Sequence, residues 1–204
     1  MTHGHFITRP IALALTLALL ASAGVATVAA QDNPRDRVAA LQSFQQRVGA
    51  YSALHRQLAA SLPPLGARID RQSLLAARKF LASAIKAARP SARQGDFFTP
   101  TVSRIFRDII GDTIYSGKFG IFAPPVDEEG RMMPGLHPQV YDPFPIWATE
   151  DLSAAVVYRL PTLPEELEYR VIDYDLVIWD IYADLIVDYL PYAISHPMNA
   201  AIYR

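Results

Sequence analysis

A segment dense in glycine and proline, residues 116–148, interrupts the chain and divides it into two unlike parts. Its glycines and prolines are Gly117, Gly120, Pro124, Pro125, Gly130, Pro134, Gly135, Pro138, Pro143 and Pro145. Proline lacks a backbone donor and glycine loses much conformational freedom on folding, so this density predicts a long irregular connection. A connection of this length in a small domain is typical of a lid, a binding loop or a disordered stretch, and the pattern fits all three.

The residues before this segment carry the periodicity of amphipathic helices. Apolar residues recur at steps of three and four in 34–62, 70–89 and 100–111, and a capping residue or a proline opens each stretch. Gly111 is the predicted end of the third helix, with an extension by one turn to Tyr115 as the alternative. The short connections predict that these helices pack as antiparallel neighbours.

The residues after the segment predict a mixture of helix and strand. The polar residues 149–151 are predicted to cap a short fourth helix that ends near Tyr158. The runs 167–172 and 176–181 are typical of strands, and residues 173–175 between them predict a hairpin turn. Because an isolated hairpin is not stable, we expect it to pack on the helices.

A further apolar run, residues 185–190, ends at a proline. Asp184 and Asp188 are four positions apart, which is the spacing of one helical face, while the apolar residues cluster between them. This spacing favours a short terminal helix over a third strand.

Together these elements predict one α+β domain over residues 31–204. We expect three to four helices packed on a C-terminal β-hairpin with a short terminal helix. The domain divides into a helical part, 31–115, the connection, 116–148, and a helix with the hairpin module, 149–204.

The amino-terminal residues are typical of an export signal. Arg9 supplies a positive charge, residues 11–20 are apolar, and small residues at 28–30 match a signal-peptidase site, which places cleavage before Gln31. Residues 21–23 are a second, weaker match to such a site. We therefore expect residues 1–30 to be removed, no membrane span to remain, and export to the periplasm rather than to the outside of the cell. The chain has no cysteine, so thiol chemistry and disulfide bonds are excluded.

The charges are distributed unevenly along the chain. Residues 31–94 hold eleven Lys and Arg against three Asp and Glu, whereas residues 95–204 hold seven against seventeen. Such asymmetry is compatible with a nucleic-acid or membrane contact. No nucleic-acid reader motif is present, so we expect instead that the basic part docks on the acidic part within one fold.

Four stretches resemble a group of uncharacterised exported bacterial proteins. They are residues 94–100, 160–171, 175–177 and 183–188. No activity, ligand or catalytic residue is established for that group, so the resemblance implies fold and location only.

The hairpin around Tyr169 and Arg170 is also similar to the C-terminal module of periplasmic proteins of the nickel/cobalt homeostasis family. That similarity implies a periplasmic metal-homeostasis accessory protein as an alternative function.

One cluster of soft metal ligands lies in the irregular connection. Met132, Met133 and His137 offer thioether and imidazole donors, which suit Cu(I). We retain these three residues as metal-ligand candidates, and no cofactor is predicted. His55 lies beside an apolar helical stripe and is interpreted as a half-buried helix histidine rather than a ligand.

A set of aspartates follows the C-terminal elements: Asp173, Asp175, Asp180, Asp184 and Asp188. We expect them to face water between apolar neighbours, as charges that protect edge strands do. The alternative is a hydrolase that uses paired aspartates, with Asp180 and Asp184 near an arginine in a deep pocket.

No nucleophile or phosphate-binding motif is present in the sequence. The function predicted from the sequence is therefore a non-enzymatic exported envelope protein that acts by binding or assembly, with an envelope protein as its possible partner. The metal-homeostasis protein and the aspartate hydrolase stay open as alternatives, and so does the oligomeric state.

Overall fold

A computed structural model of the chain describes five stretches and the first residue. They are residues 1, 33–62, 70–115, 137–145, 149–150 and 152–194. The predicted export signal and most of the glycine- and proline-rich segment lie outside the described residues.

The three helices predicted before residue 116 are confirmed. They are α1 (Pro34–Ala60), α2 (Arg71–Ala88) and α3 (Pro100–Tyr115). The side chain of Asn33 caps α1 and that of Asp70 caps α2, as their positions before the apolar stripes indicate.

The third helix does not end at Gly111 but continues to Tyr115, which was the alternative. Ile110 and Thr113 are buried in this last part, and the Thr113 hydroxyl donates to the carbonyl of Ile109 at 2.6 Å. Burial of this turn therefore outweighs the cost of a glycine inside the helix, which is about 1 kcal/mol relative to alanine.

The predicted start of the fourth helix at residues 149–151 is wrong. Thr149–Glu150 form a short strand, β1, and α4 (Ala154–Arg159) begins later, after Ser153, whose side chain accepts a hydrogen bond from the Val156 N–H. Serine is a preferred N-cap residue, and the backbone of the two earlier residues pairs with a neighbouring strand instead.

Four antiparallel strands form one sheet in the order β1-β2-β3-β4. After β1, the strands are β2 (Leu167–Ile172), β3 (Asp175–Asp180) and β4 (Leu185–Leu190). The hairpin of β2 and β3 confirms the prediction, and the α+β class is confirmed with it.

The predicted short terminal helix at 185–190 is wrong, because these residues are β4. Leu185 and Leu190 face the helices, whereas Ile186 belongs to a cluster on the opposite face of the sheet. A strand buried on both faces reads as a continuous apolar run, which periodicity cannot distinguish from a buried helix. The spacing of Asp184 and Asp188 favoured a helix because both were expected to lie on one solvated face. In the structure the carboxylate of Asp188 is buried instead.

An irregularity in the sheet brings Asp188 to the helix side. The register shifts between Ile178 and Trp179, so that Ile178 pairs with Asp188 and Trp179 pairs with Ile186. One extra residue in β4 therefore changes which side chains face the helices, as a β-bulge does.

The helices cover one face of the sheet with an aromatic core. Phe44 of α1 contacts Phe98 and Phe106, with ring centroids 6.0 and 5.1 Å apart. On the other face, Phe144 stacks on Trp179 at 4.5 Å. None of the described helices is both long and apolar enough to cross a membrane.

Candidate functional site

An apolar groove lies between α1 and α2 and has a volume of about 560 Å³. This volume is in the range of small-molecule binding sites, roughly 300–1,000 Å³. Its aliphatic wall consists of Ala59, Leu62, Leu74, Leu75, Ala77 and Leu81, and its other lining residues are His55, Arg71, Arg78 and Tyr182.

The groove follows from the helical pattern of α2. Leu74, Ala77, Arg78 and Leu81 occupy positions i, i+3, i+4 and i+7, which lie on one face of a helix. Leu81 is buried, whereas Leu74 is 49% exposed and Leu75 46% exposed. Leu74 and Leu75 therefore present apolar surface that the described part of the chain does not bury.

Among the described residues, His55 is the one histidine on the lining of this groove, and a buried carboxylate holds it in place. Its Nδ1 lies 2.7 Å from Oδ2 of Asp180, and the Tyr51 hydroxyl donates to the same oxygen at 2.7 Å. The backbone N–H groups of Tyr182 and Ala183 donate to Oδ1 at 3.1 and 2.8 Å. Asp180 itself is fully buried.

These contacts fix the tautomer of the imidazole. An ionised carboxylate has about four acceptor positions, and three of those on Asp180 receive protons from Tyr51 and two backbone N–H groups. The fourth contact is therefore donated by Nδ1 of His55. In neutral His55 the proton is thus on Nδ1, and Nε2 is an acceptor with no partner among the described residues.

The environment of Tyr51 supports this assignment. Burial and the negative charge of Asp180 both raise the pKa of the Tyr51 phenol above its ordinary value of 10.0. The phenol therefore keeps its proton and remains a donor to the carboxylate. The Tyr182 ring packs on the imidazole, with centroids 5.9 Å apart.

Two arginines carry charge at the groove. Arg78 donates to the carbonyl of Ile181 at 3.3 Å and lies 3.7 Å from the carboxylate of Asp184, which offsets its charge. Arg71 is exposed, and no ion pair joins it to another residue in the described part of the chain. The groove therefore combines an aliphatic wall with an excess of positive charge.

The prediction that the aspartates face water is wrong for Asp175, Asp180 and Asp188, which are buried. Each of the three accepts hydrogen bonds from backbone N–H groups, which compensates for the loss of water. Asp173 is partly buried and adopts a positive φ of 57° in the hairpin turn. Asp184 accepts from the Trp179 indole at 3.2 Å.

The arrangement expected for an aspartate hydrolase is only partly present. Arg78 lines the groove and contacts Asp184, but neither Asp184 nor Asp180 lines it. His55 stands between Asp180 and the groove. The histidine is therefore the candidate for proton transfer or hydrogen bonding to a ligand at this site.

The soft metal-ligand candidates are not brought together by the described structure. Met132 and Met133 lie outside the described residues, and His137 is exposed. His137 lies near Asp175, where its charge opposes the burial that raises the pKa of that carboxyl group. Among the described residues, no three His, Cys, Asp or Glu side chains converge as a metal site.

Sequence reasoning did not identify His55, Arg71 or Arg78 as site residues. The spacing of Tyr51 and His55 places both on one face of α1, which is the only local signal. Their shared partner, Asp180, is 125 positions from His55 along the chain. Only the tertiary fold brings these residues together.

Comparison with known proteins gave no match to a family model, to a curated protein or to a solved structure. The resemblance to exported bacterial proteins, and the looser one to nickel/cobalt homeostasis proteins, therefore stay predictions.

Proposed function

We propose that this chain is an exported binding protein that holds a small apolar molecule in the groove between α1 and α2. The observation that carries the proposal is the groove itself, about 560 Å³ with six aliphatic residues on its wall. Removal of apolar surface from water stabilises a complex by about 25 cal/mol for each Å² buried.

The shape of the α1 wall also supports a preformed site. Tyr51 and His55 of α1 both contact Asp180 at the end of β3, so buried hydrogen bonds tie this helix to the sheet. A wall that is already ordered reduces the entropic cost of binding.

The proposal is tested with the neutral fluorescent probe N-phenyl-1-naphthylamine and the protein purified after expression of the full chain. We expect saturable binding of one probe per chain. Ala77→Trp places an indole in the groove and should weaken binding by about tenfold or more, a loss of about 1.4 kcal/mol or more. The matched control is Ala76→Trp, because Ala76 is the exposed neighbour on the same helix and does not line the groove.

Two results would contradict the proposal. One is the absence of saturable binding to the unsubstituted protein. The other is equal binding by the Ala77→Trp and Ala76→Trp variants, which would place the probe elsewhere. Circular dichroism of both variants establishes that they remain folded before the affinities are compared.

A further inference from the structure

We infer that the ligand of this groove is a free carboxylic acid with an apolar body, and that its acid group binds Nε2 of His55. The inference rests on the proposed function, since it names the chemistry of the molecule in the same groove. It concerns the polar end of the ligand, whereas the proposed function concerns the apolar part.

The first argument is the unpartnered nitrogen of His55. The imidazole is 5% exposed and lines the groove, and Asp180 fixes its Nδ1–H. Nε2 therefore offers a hydrogen-bonding position inside an apolar surface. Nε2 is not a fully buried atom, so the head group of a ligand would replace water at this position rather than relieve a buried unsatisfied group.

The second argument concerns the hydrogen bond between an acid group and the imidazole. A carboxylic acid donates to a neutral Nε2, and a carboxylate accepts from a protonated Nε2, so one hydrogen bond forms in either state. An ester or a ketone cannot donate to the neutral ring, and an ammonium group would meet the positive charge of Arg71. A hydroxyl group can also donate or accept at Nε2, but only the acid brings a negative charge, which the arginines of the groove favour.

The third argument concerns the charges around the imidazole. Asp180 of β3 lies directly behind the ring and stabilises a protonated imidazole through Nδ1–H, and Tyr51 of α1 donates to the same carboxylate. From α2, Arg71 and Arg78 bring positive charge to the groove, and Asp184 offsets that of Arg78. The surplus positive charge favours an anionic head group.

The choice of a free acid over the C-terminus of a peptide follows from the lining. Its six aliphatic side chains offer no hydrogen bonds to amide groups. A peptide would bury backbone N–H and C=O groups without partners, which costs free energy for each group. A hydrocarbon body carries no such groups.

Isothermal titration calorimetry with decanoate and 1-decanol tests the inference, because the two probes share the hydrocarbon chain and differ at the head group. We expect decanoate to bind about tenfold tighter or more, since a hydrogen bond to a charged group contributes about 1.5–3 kcal/mol. His55→Phe keeps a ring of similar size and removes both nitrogens. It should reduce the affinity for decanoate by a larger factor than the affinity for decanol, because a charged head group forms the stronger hydrogen bond.

The matched control is His137→Phe, because His137 is exposed and does not line the groove. This variant should keep the preference for decanoate. If His55→Phe does not fold, two other measurements test the inference. The unsubstituted protein should bind decanoate more tightly than decanol, and Arg71→Ala should reduce this difference in affinity. Arg71 is exposed and forms no ion pair with a described residue, so its removal should not affect folding.

Nitrogen NMR of the imidazole gives a readout that a purely structural role of His55 would not produce. Decanoate should shift the Nε2 resonance further than decanol does, because a charged head group forms the stronger hydrogen bond.

The inference is overturned by equal affinity for decanoate and decanol, or by a preference for decanoate that His55→Phe does not reduce. Tighter binding of a leucine-terminated peptide than of decanoate would overturn the choice of a free acid. If decanol and the neutral naphthylamine probe also fail to bind, the proposed function itself has failed. If they bind and the preference for acid is absent, only the inference has failed.

Discussion

Asp188 shows how much of this fold depends on a single carboxylate. Its oxygens accept from the backbone N–H groups of Gly95, Phe97, Phe98 and Tyr189 at distances of 2.7 to 2.9 Å. Burial nevertheless raises the pKa of Asp188, because desolvation of the charge exceeds the opposing effect of these donors. The carboxylate thus joins β4 to the turn that precedes α3.

We predict that Asp188→Asn destabilises the protein by about 2–4 kcal/mol, because the amide NH₂ would face backbone donors and leave them unsatisfied. Urea unfolding followed by circular dichroism measures the change in the free energy of unfolding. The control is Asp112→Asn at an exposed position of α3, which should change it by less than about 0.5 kcal/mol. Equal effects of the two substitutions would show that the buried contacts of Asp188 contribute nothing specific.

Asp175 provides a prediction about pH. Burial raises the pKa of this carboxyl group above its ordinary value of 3.8, although the Tyr192 N–H and the charge of His137 act in the opposite direction. The folded state therefore holds the proton at pH values where the unfolded state has released it. This contribution to stability is fully present below the unfolded pKa and is lost as the pH rises through the folded pKa.

Asp175→Asn tests this sign, because the amide keeps an oxygen that can accept from Tyr192 N–H. The unfolding free energy of the unsubstituted protein, relative to that of the variant, should decrease as the pH rises above about 4. Urea unfolding between about pH 3 and pH 7 measures this difference. A difference that is constant, or that increases over this range, would contradict the raised pKa.

At the scale of elements, the helices that begin with a capping residue were predicted most accurately from the sequence. The boundaries of α1 and α2 follow from Asn33, Asp70 and the prolines around them, because capping is a local interaction. β4 was assigned to the wrong type of element because both of its faces are buried. Its identity depends on pairing with β3, which a local pattern does not report.

The capping box of α2 yields a matched pair of serine substitutions on one helix. Ser73 accepts from Asp70 N–H at 3.2 Å at the start of α2, whereas Ser83 bonds back to the Lys79 carbonyl in its interior. We expect Ser73→Ala to destabilise the protein by about 0.5–1 kcal/mol. Ser83→Ala should be neutral or slightly stabilising, because alanine has the higher helix propensity.

Thermal and urea unfolding of both variants measure these effects. Equal changes in the unfolding free energy would mean that Ser73 acts only through its helix propensity and not as part of the cap.

At the scale of the whole molecule, the uneven charge distribution matches the way the parts pack. Arg37 of α1 lies 3.7 Å from Asp108 of α3, and Arg56 lies 3.5 Å from Glu166. Such partly exposed pairs contribute little each, typically about 0–1 kcal/mol. They agree with the expectation that the basic part of the chain docks on the acidic part.

The class of the fold could be predicted because it depends on which element types occur and in which order. The candidate site could not, because His55 and Asp180 come from opposite ends of the domain. Nothing near His55 in the sequence distinguishes it from a histidine that merely borders a core. Its role became visible only through the contact with β3.

At the scale of the whole chain, the predicted export signal leads to a further prediction. We expect the protein recovered from the bacterial envelope to begin at Gln31, as the small residues before this position indicate. Ala30→Arg should prevent cleavage, whereas Ala29→Arg, at a position that the peptidase does not read, should allow it. N-terminal sequencing and mass spectrometry measure the outcome, and an intact N-terminus on the unsubstituted exported protein would contradict the assignment.

The distance of 125 positions between His55 and Asp180 has a consequence for the order in which the protein is made. Ribosomal synthesis proceeds from the N-terminus, so α1 is complete long before the residues of β3 have been added. Until then Tyr51 and His55 have no carboxylate to orient them, and the polar end of the groove does not exist. The binding that we propose would therefore require the completed chain, and a binding assay would distinguish the completed fold from a form that lacks β3.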